Sequence, residues 1–145
     1  MYHYQSCGLN NIYLINGYQE IETPYGKAVS IDDVEGLDKA IAHSLITYKP
    51  RLTGSEFRFL RKYLGLSQSK LACLLGNNEQ AIALWEKRSN IPKWASNILR
   101  KLICEHLGDN KTLMEIIDQF NNMDKIEYDD SMRFEDLNHE WKIAA

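Results

Sequence analysis

The chain has 145 residues, 44% hydrophobic and 26% charged, which allows one domain or two small ones and excludes disorder along the whole length. No apolar run approaches the roughly 20 residues a membrane helix needs, the opening MYHYQSCGLNN lacks a signal-peptide pattern, and Cys7, Cys73 and Cys104 are too scattered for a disulfide framework. A cytoplasmic protein with no membrane partner is therefore expected. The formal charge of −3 hides a segregation: residues 51–106 carry ten basic side chains against four acidic, net +6, whereas residues 1–50 come to −3 and residues 107–145 to −6, so a basic module can attract phosphate locally.

Asn11-Ile12-Tyr13-Leu14-Ile15 is rich in strand formers, and Asn16-Gly17 after it is a hairpin turn signal. Residues 19–23 alternate around Ile21, Pro24-Tyr25-Gly26 breaks the run, and Ala28-Val29-Ser30-Ile31 is a further candidate strand. The tyrosines of this region, Tyr2, Tyr4, Tyr13, Tyr18 and Tyr25, are expected to pack as core; the lesser reading is a partner surface. From 33 to 47 the period changes. Val34, Leu37, Ile41 and Leu45 fall three and four apart, as on one face of a helix. Tyr48-Lys49-Pro50-Arg51 reads as a linker, because proline disfavours helix in the residue before it.

Thr53-Gly54-Ser55-Glu56 is a capping box. It opens a helix with Phe57, Leu60 and Leu64 inward, ended by Gly65. Ser67 caps a second helix with Leu71, Ala72, Leu74 and Leu75 inward and Gly76 as its stop. Asn78 caps a third, through Lys87, that buries Ala81, Ile82 and Trp85. Pro92 suits the first turn of a fourth, with Ile98, Leu99, Leu102 and Ile103 apolar and Gly108 at its end. A fifth runs from Lys111 to Asn121 with Leu113, Ile116, Ile117 and Phe120 on one face. An acidic tail, Asp124 to Asp136, leads to a last amphipathic turn holding Phe134, Leu137 and Trp141. The expected class is α+β: a small N-terminal β-hairpin-plus-helix domain over 1–50, an all-α five-helix domain over 51–122, and an acidic C-terminal extension over 123–145.

Within the basic segment, two short amphipathic stretches joined by Gly76-Asn77-Asn78, with Trp85-Glu86-Lys87 closing the second, have the spacing of a helix-turn-helix. Leu60-Arg61-Lys62, Leu66-Ser67-Gln68, Leu71-Ala72, Leu75-Gly76, Ile82 and Trp85-Glu86-Lys87 together resemble the XRE (lambda-repressor-like) helix-turn-helix family. The wider arrangement of hairpin, helix, LTGSEFRFLR and this module resembles the MqsA/YgiT-type antitoxin and regulator group. The resemblance implies a transcriptional regulator, a repressor binding a palindromic double-stranded operator as a homodimer, and the antitoxin of a type II toxin–antitoxin pair with a toxin protein as further partner. It also implies arginine where this chain has Leu84 and glycine where it has Arg88, and two CxxC pairs holding a structural zinc. Only Cys7 stands in the corresponding region, and a tetrahedral site needs four ligands. His3 and Cys7 supply two at most, so no metal and no cofactor is expected.

Each matched position also has a physical role. Ala72 is small where helices cross closely, Gly76 permits the turn, Ile82 fills the core, and Glu86 is expected to pair with Arg61 or Arg58. Packing is the plain reading of Leu71, Ala72, Ile82 and Trp85. The remaining polar positions are the candidate DNA-binding residues. Gln68, at the start of the second helix, is placed for a phosphate. Asn77, Asn78, Glu79, Gln80 and Ala83 form the end of the third helix that would enter the groove. Gln80 can pair bidentately with adenine, and Glu79 can accept from cytosine N4. Lys70, Lys87, Arg88 and Lys93 suit phosphates. The bland alternative for each is a solvated face or cap residue. For the whole chain the alternative is a protein-interaction module that kept the fold and lost specific DNA reading. No enzyme is expected: His43, His106 and His139 are scattered, no GxSxG, HExxH or P-loop occurs, and Cys73 and Cys104 sit in apolar helical contexts that predict burial rather than reactivity.

Overall fold

The computed structural model describes residues 1–123 and 131–144. The acidic run from Asp124 to Asp130 and the inward Phe120 side chain expected above lie outside the described residues. The fold mixes α and β. The chain divides into two compact units, Met1–Ile41 with Asp129–Ala145, and Ala42–Tyr128. Among the described residues no helix is long and apolar enough to cross a membrane.

The first unit is built on a four-stranded sheet of order β1-β2-β5-β6. Strand β1 (Tyr2–Tyr4) runs antiparallel to β2 (Ile12–Leu14), and β2 runs parallel to β5 (Met132–Leu137), with Ile12 opposite Met132 and Leu14 opposite Phe134. Strand β6 (Glu140–Ile143) closes the edge against β5. Parallel strands cannot be joined by a tight turn, and here the crossover holds every helix of the chain described. Ile12, Leu14, Phe134, Met132 and Trp141 are buried, with Leu37 and Ile41 of helix α1 (Val34–Tyr48) also in the core.

Three sequence expectations fail in this unit. The C-terminal segment is not an extension carrying an amphipathic turn. Phe134, Leu137 and Trp141 fit a helical spacing, but Met132 and Phe134 are buried with Arg133 exposed between them, a period of two. Asn138 and His139 both have positive φ, 53° and 64°, the backbone of the two-residue turn that matches strand twist. Turn chemistry decides against the helix in so short a window. Nor does Asn16-Gly17 close a hairpin. The Asn16 side chain donates to the Asp136 carbonyl and accepts from the Asp136 amide. Gly17 has φ 74°, and a Cβ there would sit 2.5 Å from the Trp141 ring. The hairpin is one turn later: β3 (Tyr18–Thr23) pairs with β4 (Gly26–Ile31) around Pro24-Tyr25, forming a separate two-stranded ribbon. Tyr25 at its tip is 99% exposed, so it is not part of an aromatic core. Tyr4 is buried, Tyr2 packs on Tyr18, and Tyr13 stacks on His3.

The second unit holds the rest of α1 and the helices α2 (Gly54–Tyr63), α3 (Gln68–Leu75), α4 (Glu79–Arg88), α5 (Lys93–Leu107) and α6 (Leu113–Met123). The local signals work as expected. Thr53 accepts from Glu56 N while the Glu56 carboxylate accepts from Thr53 N; Ser67 caps Lys70 N; Asn78 caps Ala81 N; Gly76 and Gly108 end α3 and α5 in the left-handed conformation. Leu45, Phe57, Leu60, Leu71, Ile82, Leu99 and Ile103 are fully buried. Leu74, expected inward, is exposed, and so is Cys73, which corrects its expected burial. Both stand on the outer side of a helix of only two turns.

A division at residue 50 does not match the packing. Arg100 of α5 is 1% exposed and donates to the Leu45 and Lys49 carbonyls at 2.9 and 2.6 Å, satisfying the open end of α1. Lys49, expected in a linker, is 3% exposed and pairs with Glu56 at 2.9 Å. The end of α1 therefore belongs to the helical unit.

Candidate nucleic-acid interface

Helices α3 and α4 are joined by three residues. Gly76 (φ 67°) turns the chain, the Asn77 amide donates back to the Ala72 carbonyl, and Asn78 opens α4. Leu71, Ala72 and Ile82 are buried along this pair.

Glu86 fixes the pair to α2. Arg61 donates to it through Nε at 2.8 Å and through a second nitrogen at 3.1 Å, and the third nitrogen donates to the Leu66 carbonyl. Side-chain exposures of 8% and 5% make this a buried, two-pronged ion pair. The expected Glu86–arginine pairing is thus with Arg61. The Gln68 amide donates to the same carboxylate at 3.1 Å, so one group on α4 holds α2 and the first residue of α3. The start of α2 also lies hard against the end of α4. Gly54 N donates to Ser89 Oγ at 2.7 Å, and a Cβ on Gly54 would collide with the Glu86 carbonyl.

An open groove results, lined by Ser55, Arg58, Arg61, Ser67, Gln68, Glu79, Ala83, Glu86 and Lys87. It brings together four of the candidate residues, Gln68, Glu79, Ala83 and Lys87. Gln80, at the start of α4, and Lys70 of α3 are exposed outside this lining, as are Asn77 and Asn78 in the turn and Arg88 at the end of α4. Asn77 and Asn78 use their side-chain oxygens as acceptors for Asn78 N and Ala81 N, which are cap roles. Lys93 starts α5 and donates to Asn121 Oδ1 at 3.2 Å. Gln68 is half-buried, with one of its N–H groups committed to Glu86. Ser55, named above only within the capping box, and Arg58, named only as a possible partner of Glu86, were not among the DNA-binding candidates. Arg58 lies one turn before Arg61 on α2, and that spacing was the available signal.

Other polar groups have local roles. His3 Nε2 lies 2.6 Å from the Asn10 carbonyl. Among the described residues no three or more His, Cys, Asp or Glu side chains gather as a metal site. Burial pushes the Cys7 and Cys104 thiols up from their ordinary range. Burial likewise raises the Asp38 carboxyl, which accepts a hydrogen bond from Tyr4. The chain matches no family model, no curated protein and no solved structure.

Proposed function

We propose that the chain is a DNA-binding transcriptional regulator, a repressor of the XRE helix-turn-helix kind rather than an enzyme, acting in the cytoplasm. The observation that carries this reading is the Glu86 clamp. It holds α3 and α4 rigidly against α2, with the polar start of α4 turned to solvent and exposed Lys70, Lys87 and Arg88 on the same helix pair. Rigid support behind an exposed polar helix start is what groove reading requires, and cations beside it suit phosphates. In this reading Gln80 meets a base, and Lys70, Lys87 and Arg88 meet the backbone. A homodimer on a palindromic operator is the form that gives such a module adequate specificity. The resemblance in overall arrangement extends the proposal to an antitoxin that regulates its own operon and binds a toxin protein.

The rival reading is a protein-interaction module, favoured by Glu79, whose carboxylate lines the groove and repels phosphate. Titration of the full chain with duplex DNA at increasing salt separates the two. A regulator binds at low salt and loses affinity with a slope of about 0.9 per phosphate contact. Changing Lys70, Lys87 and Arg88 to glutamine flattens that slope. Absence of binding at low salt would leave the interaction module.

A further inference from the structure

We propose that α4 reads a thymine, with the Leu84 side chain meeting its C5-methyl group in the major groove. This rests on the DNA-binding reading above and names what the site selects. Leu84 is 45% exposed, whereas Leu60, Leu71 and Leu99 of the same unit are fully buried. Its place in the helix explains the exposure. Ile82 fills the core and Glu86 turns back to Arg61, which leaves residue 84 on the outer side. Gln80 and Leu84 are four residues apart in α4, so their side chains stand one above the other on one face. Gln80 is exposed as well.

That face offers two kinds of contact. Gln80 carries an amide, a donor beside an acceptor, which matches adenine N6 and N7. Leu84 carries no polar atom. In the major groove the thymine methyl is the apolar group that the base edges present. Four residues of helix rise about 6 Å and one base step about 3.4 Å, so the thymine lies within two base pairs of the Gln80 contact. The occupant is a nucleic acid because of charge. Lys70, Lys87 and Arg88 are all exposed on α3 and α4, and phosphate on either side of a groove complements them. A partner protein would also cover Leu84, but it would not respond to a methyl group in DNA.

The test uses the full chain. Binding sites are first selected from random duplexes, and each thymine in a selected site is then replaced by uracil, which removes only the methyl. The expected result is one thymine in each half-site, within two base pairs of the adenine that Gln80 meets, whose replacement in one half-site weakens binding about fourfold, the effect of uncovering a single methyl. For Leu84→Ala, the thymine and uracil duplexes should bind alike; Leu84→Met should keep the preference. If the wild-type chain selects sites but ignores every uracil, the Leu84 assignment is overturned and DNA binding stands. If it binds no duplex at low salt, both fall.

Discussion

Asn16 and Asp136 are 120 residues apart and exchange two hydrogen bonds. The Asn16 amide nitrogen donates to the Asp136 carbonyl at 3.1 Å, and the Asp136 amide donates to Asn16 Oδ1. One side chain thus replaces a missing strand neighbour, just past the point where Ile15 N donates to the Phe134 carbonyl at 2.9 Å.

Asn16→Ala removes both bonds at a site near solvent, where water partly replaces them. The expected loss is about 1 kcal/mol in chemical denaturation. Amide exchange at Asp136 should accelerate more than exchange at Leu60 in the helical unit. Unchanged exchange at Asp136 would mean that the pair does not hold the strand.

Glu86→Ala leaves the Arg61 guanidinium buried without its carboxylate. Breaking one side of a buried pair costs about 3–5 kcal/mol, so the urea midpoint should fall strongly. The double change Arg61→Leu with Glu86→Leu should recover much of that loss, because no charge is then stranded. A cost below about 1 kcal/mol for Glu86→Ala would place the pair with solvent-screened surface bridges.

Asp38 gives a pH dependence of opposite sign to that of most acidic residues. Its Oδ1 is buried with no hydrogen-bond partner, and burial raises its carboxyl above the ordinary 3.8. The folded state therefore holds the proton more tightly than the unfolded one. The contribution is fully present below pH 3.8 and is lost as pH rises through the raised folded value. Asp38→Asn, which keeps an oxygen for Tyr4, should raise the melting temperature at pH 7 and make little difference below pH 3.8. A variant less stable than the wild type at pH 7 would show that the ionised form is favoured in the fold.

The three thiols should separate by access. Cys73 is exposed, Cys7 half-buried and Cys104 buried. Thiolate is the reactive form, and burial holds the Cys7 and Cys104 thiols higher than usual. A thiol reagent at pH 8 should label Cys73 first and Cys104 only on unfolding. Cys73→Ser should abolish the fast phase; a fast phase that survives would belong to Cys7.

How much was legible in the sequence depends on how far apart the deciding atoms lie along the chain. The caps at Thr53, Ser67 and Asn78, and the glycine stops at Gly76 and Gly108, were legible because a cap joins residues three or four apart and its chemistry is complete within one turn. The buried face of Leu37, Ile41 and Leu45 was legible from period alone. Glu86 could be matched to an arginine by type, but only packing chose Arg61 over Arg58 and drew in Gln68. The parallel pairing of β2 with β5, the diversion of Asn16-Gly17 from hairpin to bend, and the burial of Lys49 and Arg100 were decided by tertiary structure. Each joins groups about 50 to 120 residues apart or, for Lys49, pairs a buried charge with the Glu56 carboxylate across the break between two helices. Local propensity carries no information about such partners, because the free energy that selects them appears only when the distant surfaces meet.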